Sequence, residues 1–153
     1  MKILVVSDEH GDYNALQCVL QMESYSHVFC LGDGVRDYED AKDDYMTIPF
    51  HIVTGNCDWY TSSHYPAVNL EVIEGKRILY MHGHIQDVKH TLSRAIALGK
   101  QDQADVLLYG HTHYPHEELV DGMLVCNPGS LANGAYGILT IENGQVSWQA
   151  KSL

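Results

Sequence analysis

The chain has 153 residues, 45% of them hydrophobic and 19% charged, the make-up of one globular domain with a real core and not of a disordered segment. Twenty acidic residues against nine lysines and arginines give a net charge of −11. That balance excludes a duplex-DNA clamp, long nucleic acid or an anionic membrane as the expected partner, since each needs basic side chains to displace counterions.

Along the chain, residues 2 to 7 read as a strand, entered directly from Met1 and Lys2. That start leaves no room for a secretory signal, and no run approaches the roughly twenty apolar residues of a membrane span, so a cytoplasmic location without membrane contact is expected. A helix follows near 13 to 23, where Leu16, Val19, Leu20 and Glu23 keep helical spacing, and then a strand at 27 to 31. The acidic stretch Asp37 to Asp44 reads as a short helix with a solvated face, not as a binding site, and Pro49 opens a strand at 50 to 54. Asp58 to Pro66 is an aromatic loop, suited to walling a substrate pocket, to a subunit contact, or to an ordinary surface turn with its rings tucked on the core. Residues 68 to 74 and 76 to 82 read as antiparallel strands turned at Glu74-Gly75. Val88, Leu92, Ala95 and Ile96 mark one face of a helix that Gly99 would cap, and a strand follows at 105 to 109. Asp121-Gly122 then separates 118 to 120 from 123 to 126, and Asn143-Gly144 separates 136 to 141 from 145 to 149. Both are type I′ hairpin signals, because these dipeptides accept positive φ cheaply. A βα-like first half and a strand-rich last third are reconciled by two packed mixed sheets flanked by helices, in one layered domain.

Five apolar runs stop at a metal-ligating residue type: Ile3 to Val6 before Asp8 and His10, Val28 to Leu31 before Asp33, Ile52 and Val53 before Asn56, Ile78 to Met81 before His82, and Val106 to Tyr109 before His111 and His113. The crevice beyond the carboxyl ends of buried strands is where open α/β sheets place ligands, so strands lying side by side would bring all seven polar residues together. Two aspartates, four histidines and one asparagine offer mixed oxygen and nitrogen donors, which suit divalent transition metals better than calcium. His27, His51, His64, His90 and His116 read instead as hydrogen-bonded structural residues. Cys18, Cys30, Cys57 and Cys126 contain no Cys-x-x-Cys pair. Most read as buried free thiols, with Cys57 the exception inside a candidate site loop.

Asp8-Glu9-His10, Gly32-Asp33, Gly55-Asn56-Cys57-Asp58, His82-Gly83-His84 and Gly110-His111-Thr112-His113, in that order, resemble the calcineurin-like metallophosphoesterases. The short length and Asn127-Pro128-Gly129-Ser130 resemble their small bacterial and archaeal phosphodiesterase branch, which is related to the eukaryotic retromer scaffold subunit. The resemblance covers essentially residues 1–153 as one domain and implies an α/β fold, a four-layer α/β/β/α sandwich of two mixed β-sheets. It assigns Asp8, His10 and His113 to one metal, Asn56, His82 and His111 to another, and Asp33 to both, since a carboxylate can span cations roughly 3.5 to 4 Å apart. The implied cofactors are two divalent ions, manganese first, with iron, nickel, zinc or cobalt as alternatives.

The reaction so implied is hydrolysis of a small phosphodiester by a metal-bridging hydroxide, with the metals and Asn56 neutralising charge on the phosphate. Asn56, His82, His84 and Asp58 are the catalytic candidates. His84 would orient a ligand or contact the phosphate, and Asp58 would hold an imidazole in the required tautomer. One departure matters: many relatives carry histidine directly after the site asparagine, as an acid for the leaving group, where this chain has Cys57. A thiol with an ordinary pKa near 8.5 is a weak substitute at pH 7, which favours diesters with good leaving groups. The rival readings are a phosphomonoesterase or nuclease on the same metals, and a non-catalytic protein-interaction scaffold. The intact set of histidines speaks against a scaffold. Relatives also imply a homo-oligomer.

Overall fold

The computed structural model describes residues 1–60 and 64–153. Its elements in chain order are β1 (Lys2–Val6), α1 (Tyr13–Met22), β2 (His27–Cys30), α2 (Val35–Asp44), β3 (Phe50–Ile52), β4 (Val68–Ile73) and β5 (Lys76–Met81). They continue with α3 (Ser93–Gln101), β6 (Val106–Tyr109), β7 (Pro115–Val120), β8 (Met123–Pro128), a 3₁₀ turn at Leu131–Asn133, β9 (Ala135–Glu142) and β10 (Gln145–Ser152). No helix among the described residues is long and apolar enough to cross a membrane.

β1 is buried at every position after Lys2, because both faces of its sheet are covered. Ile3 and Val5 point to a core shared with Phe29 and Leu31 on one sheet and Ile78, Tyr80, Val106 and Leu108 on the other. Leu4 and Val6 point the opposite way, onto Leu16, Val19 and Leu20 of α1 and Val35, Tyr38 and Ala41 of α2. On the far side of the second sheet, Leu79, Met81, Leu107 and Val125 pack against Ala95 of α3 and against Val88. These three apolar layers define four layers of chain, α/β/β/α. Each fully buried Val, Leu, Ile or Phe contributes about 1.5–3 kcal/mol to holding them together.

Both sheets are mixed and five-stranded, with orders β10-β9-β1-β2-β3 and β4-β5-β6-β8-β7. β1, β2 and β3 run parallel, as do β5, β6 and β8, so their carboxyl ends share an edge within each sheet. β9, β10, β4 and β7 pair antiparallel through hairpins or long returns. The hairpin turns carry positive φ at both central residues: Glu74 at 50° and Gly75 at 75°, Asp121 at 49° and Gly122 at 83°, Asn143 at 52° and Gly144 at 73°. This is the type I′ geometry that matches the twist of the strands it joins.

The third helix differs from its sequence expectation. It starts at Ser93, so Val88 and Leu92 precede it. Asp87 takes φ 59° and its carbonyl accepts the N–H groups of His90 and Thr91, which makes the segment before the helix a series of turns. Val88 still reaches the core, from a turn and not from a helix face. Gly99 lies inside the helix and Asp102 caps it; a Cβ at Gly99 would stand 2.6 Å from the Met123 sulfur, so glycine answers to packing there. Cys30 and Cys126 are buried, but Cys18 is exposed on α1, contrary to the expectation for it.

Phe29 ties the central layer together, edge-on to Tyr80 at 4.8 Å and stacked on His51 at 4.5 Å. Phe29→Ala is expected to cost about 3–5 kcal/mol, read as a lower urea midpoint at unchanged slope.

Candidate metal centre

Asp8 and His10 follow β1, Asp33 follows β2, Asn56 follows β3, His82 follows β5, and His111 and His113 follow β6. The chain must turn sharply at these strand ends, and five of the seven residues sit in the left-handed region: Asp8 at φ 54°, His10 at 52°, Asp33 at 55°, His111 at 68° and His113 at 66°. That conformation costs about 1 kcal/mol or more per non-glycine residue and persists only where the surroundings enforce it. Here they do. Asp8 N–H bonds to the Gly32 carbonyl and His10 N–H to the Asp33 carbonyl, each at 3.0 Å, lacing the β1 and β2 ends together. Gly55 is required by close approach, because any Cβ there would overlap Asp33 Oδ1.

The side chains converge as two groups. In the first, Asp8 Oδ1 is 3.1 Å from His113 Nε2 and 3.6 Å from His10 Nε2, and the two imidazole nitrogens are 3.2 Å apart. In the second, His82 Nε2 is 3.1 Å from Asn56 Oδ1, 3.2 Å from His111 Nδ1 and 3.3 Å from Asp33 Oδ2. Asp33 Oδ2 also lies 3.7 Å from His10 Nε2, so one oxygen faces both groups. Cys57 sulfur can join His10 and Asp33 in a third such grouping.

These contacts set acceptor against acceptor. His82 Nδ1 is 2.7 Å from the Leu31 carbonyl, which fixes the proton on Nδ1 and leaves Nε2 as a lone pair aimed at an amide oxygen, a carboxylate and another imidazole. Asp8 is fully buried, its Oδ2 taking the Ser7 hydroxyl at 2.6 Å and the His111 N–H at 3.0 Å, while Oδ1 meets no hydrogen-bond partner among the described residues. An orphaned buried carboxylate oxygen and a ring of facing lone pairs fit a divalent cation. Ionisation reflects the same crowding. Burial would raise the Asp33 carboxyl, but the hydrogen bond and charge of His82, with the Cys57 N–H, hold it well below the ordinary range. Burial lowers His82, and Asp33 and Asp8 more than reverse that, so a proton and a metal compete for one nitrogen. Burial, then the charge of His82, depress His111 to about 4.

The other two candidates have different surroundings. Asp58 is buried and accepts four backbone N–H groups: Asp33 at 2.6 Å and Gly55 at 2.8 Å on Oδ2, Gly34 at 3.0 Å and Val35 at 3.1 Å on Oδ1. The Leu31 carbonyl holds the His82 imidazole, and Asp58 ties the β2 and β3 loops into one piece. His84 lies 5.4 Å from the His82 ring, with Nδ1 buried and meeting no hydrogen-bond partner among the described residues; burial, then the charge of His82, lower its pKa.

Two residues of the Asn127-Pro128-Gly129-Ser130 segment, to which sequence reasoning assigned no role, support the centre. Ser130 donates to the Asp8 carbonyl at 2.8 Å, and Asn127 donates to the Gly110 carbonyl and the Thr112 hydroxyl, each at 3.0 Å. Both follow or end an apolar run, at β8, the signal that marked the other strand ends. Of the histidines read as structural, His27 bonds His51 at 2.9 Å, His90 bonds Asp87 at 2.6 Å and His116 bonds the Tyr109 hydroxyl at 2.8 Å.

Two cavities flank the centre. One, of about 650 Å³, abuts His10, Asp33 and Cys57 and is walled by Glu9, Tyr13, Asp37, Asp40 and Tyr60 among others. The acidic helix therefore does border the cavity, because α2 begins two residues after Asp33. The other, of about 570 Å³, is lined by Asn56, Trp59, Tyr65, Pro66, His84 and Ile85 among others. The aromatic loop thus walls both, although Thr61, Ser62 and Ser63 of that loop lie outside the described residues.

A family model of the calcineurin-like phosphoesterase superfamily domain matches residues 1–144, and the chain belongs to that family. It is 30% identical over 149 residues to the protein named probable metallophosphoesterase YsnB of Bacillus subtilis (strain 168), covering 94% of this chain and 86% of that one. Phosphodiesterase YfcE of Escherichia coli (strain K12) is 30% identical over 154 residues, covering 86% of this chain and 80% of that one. The crystal structure of a conserved predicted phosphoesterase from Streptococcus pneumoniae TIGR4 superposes with a TM-score of 0.84 at 25% identity, over 99% of this chain and 88% of that one.

Two stability measurements follow from this geometry. Asp58→Ala strands four N–H groups and is expected to lower metal-free stability by about 3 kcal/mol, with Asp58→Asn intermediate, by urea unfolding in chelator. Glu9 is fully buried, and burial first, then a hydrogen bond to Asp37, push its carboxyl from 4.5 to about 8. A raised folded-state pKa stabilises fully below the unfolded value and loses that contribution as pH rises through the folded one. Metal-free stability should therefore carry a falling component from about 4.5 to about 8 that Glu9→Gln removes; equal slopes in the two proteins would contradict it.

Proposed function

We propose that the chain is a phosphodiesterase that works with two divalent cations, Asp8, His10 and His113 serving one, Asn56, His82 and His111 the other, and Asp33 both. The observation that carries this reading is the Asp33 Oδ2 atom, 3.3 Å from His82 Nε2 and 3.7 Å from His10 Nε2, between two groups of facing lone pairs. Bound there, the ions would supply a water that ionises near neutral pH and would offset negative charge on the phosphate. Manganese is the first candidate, with iron, nickel, zinc and cobalt compatible with the same donors.

The chain's own residues orient and exclude. The Leu31 carbonyl keeps the His82 proton on Nδ1, so Nε2 is available as a ligand. Asn56 turns Oδ1 toward His82 and donates one amide N–H to the Cys57 sulfur at 3.5 Å, which leaves the other for a phosphate oxygen. His84, at the wall of the aromatic cavity, is placed to contact the phosphate or its ester arm. Asp58 positions rather than reacts: it sets the Asp33 and Gly55 backbones against each other.

Cys57 rather than an imidazole follows Asn56, which supports good leaving groups and hence diesters over alkyl monoesters. The name of the YfcE relative supports the same substrate class. A nuclease acting on long polymers would want a basic track that nine lysines and arginines against twenty acids do not readily make. The full set of His10, His82, His111 and His113 supports an enzyme over a non-catalytic scaffold. Metal-loaded protein should hydrolyse bis-p-nitrophenyl phosphate faster than p-nitrophenyl phosphate. A chelator should abolish turnover, and His82→Ala should lower kcat/KM by about 100-fold or more. Diester turnover that survives both chelation and His82→Ala would end the two-metal reading, and a preference for the monoester would end the substrate class.

A further inference from the structure

The loop that carries Asn56 also places a sulfur among the oxygen and nitrogen donors of the centre. The sulfur of Cys57, an imidazole nitrogen of His10 and a carboxylate oxygen of Asp33 all lie within 4.8 Å of one another. Bonds of about 2.0 Å to nitrogen or oxygen and about 2.3 Å to sulfur gather three donors into nearly that span around one cation. The backbone decides where this sulfur can go. Gly55 N–H donates to Asp58 Oδ2 and Cys57 N–H donates to Asp33 Oδ1, each at 2.8 Å, so the turn is held on both sides of Asn56. Only rotation about the Cα–Cβ bond is left to the Cys57 side chain, and it is turned inward. The thiol lies against the Asp33 carboxylate, and the Asn56 amide donates an N–H to the sulfur at 3.5 Å. An outer hydrogen bond of this kind is the usual support of a metal ligand.

The other cysteines have different settings. Cys30 and Cys126 are buried in the apolar layers, and Cys18 is exposed on α1. Cys57 instead opens onto the cavity of about 650 Å³ that abuts His10 and Asp33, where ions from solvent can reach it. Charge favours its use as a donor. The carboxylates facing the imidazoles are those of Asp8 and Asp33, which leave a pair of divalent cations in charge excess, and an anionic sulfur reduces that excess. Softness then divides the two positions. The group of Asn56, His82 and His111 offers oxygen and nitrogen only, whereas sulfur beside His10 makes the first group the softer one, and thiolate prefers zinc and its like to manganese.

We propose that the Cys57 sulfur is a further ligand of the cation served by Asp8, His10 and His113, and that it makes this position the more thiophilic of the two. This rests on the two-cation reading above. On binding, the thiol proton passes to solvent, a sulfur lone pair forms the bond to the metal, and no oxidation state changes. A sulfur so engaged has no proton to offer a leaving group, in line with a preference for good ones. The test titrates metal-free protein with cobalt(II), which reports a bound thiolate by a sulfur-to-metal charge-transfer band in the near ultraviolet, whether or not any ester is turned over. The band should appear in wild type and saturate at a single equivalent. Cys57→Ser and Cys57→Ala, at an exposed position, should abolish it while keeping the visible bands of cobalt held by nitrogen and oxygen, and Cys18→Ser, at the other exposed thiol, should keep both. In chelator competition, Cys57→Ser should lower zinc affinity by about tenfold or more, a loss seen even for groups that only support a ligand, and manganese affinity by less. Wild type that shows the visible bands without the charge-transfer band overturns the proposal, as does a charge-transfer band that persists in Cys57→Ser. Equal losses for zinc and manganese overturn the selectivity. Failure of wild type to bind cobalt at all would instead overturn the two-cation reading, and this ligand with it.

Discussion

Lone pairs facing lone pairs are the constraint around which this molecule is organised. Asp8 Oδ1, Asp33 Oδ2, Asn56 Oδ1 and four imidazole nitrogens approach one another at 3.1 to 3.9 Å, and His82 Nε2, its proton held on Nδ1 by the Leu31 carbonyl, faces them as a lone pair. In a buried setting such an arrangement is unfavourable unless a proton or a cation sits among the atoms. A chain left to relax would turn these side chains outward. This one cannot, because each stands within four residues of the end of a sheet strand, and the two sheets form the central layers of the molecule. The apolar layers hold the polar centre in place, and the strain appears in the backbone, where five ligand candidates take φ between 52° and 68°.

Asp58 makes that strain tolerable. Four backbone N–H groups at the β2 and β3 ends have no strand partner where the chain turns away from the sheet, and one buried carboxylate accepts all of them. Charge-assisted hydrogen bonds to an ionised carboxylate are about twice as strong as neutral ones, which suits a carboxylate better than an amide at that hub. The same bonds set the Asp33 backbone against Gly55, where the missing Cβ admits Asp33 Oδ1. Packing, loop geometry and ligand position are thus one mechanical unit running from Phe29 through Asp58 to the facing imidazoles.

Much of this was legible in the sequence, for a definable reason. A strand buried on both faces must be an unbroken apolar run, so the polar residues that follow it mark where the chain leaves the core, and after five such runs seven of them were ligand types. Hairpins were legible because Asp-Gly and Asn-Gly state a backbone conformation directly. Helix α3 was not: Val88 and Leu92 have helical spacing with Ala95, yet Asp87 in a left-handed turn places them before the helix, and spacing cannot distinguish a helix face from turns that return to the same core. The part played by Asp58 was hidden for a related reason. Its partners are backbone groups, which every residue has, so no pattern of side chains announces them.

The acidic helix shows the same limit in its electrostatics. Asp37 to Asp44 reads as a solvated face, and on the outer side of α2 it is one. But α2 begins two residues after Asp33, so its first two turns swing Asp37 and Asp40 over the cavity at the metal centre, where Asp37 meets Glu9. A protein of net charge −11 already draws divalent cations and repels polyanions at long range, an effect that salt screens over about 8 Å at physiological ionic strength. Carboxyls within the cavity wall act inside that distance and are screened far less. Their placement therefore bears on what can lie beside the centre, whereas the charges elsewhere on the surface bear mainly on how fast ions arrive.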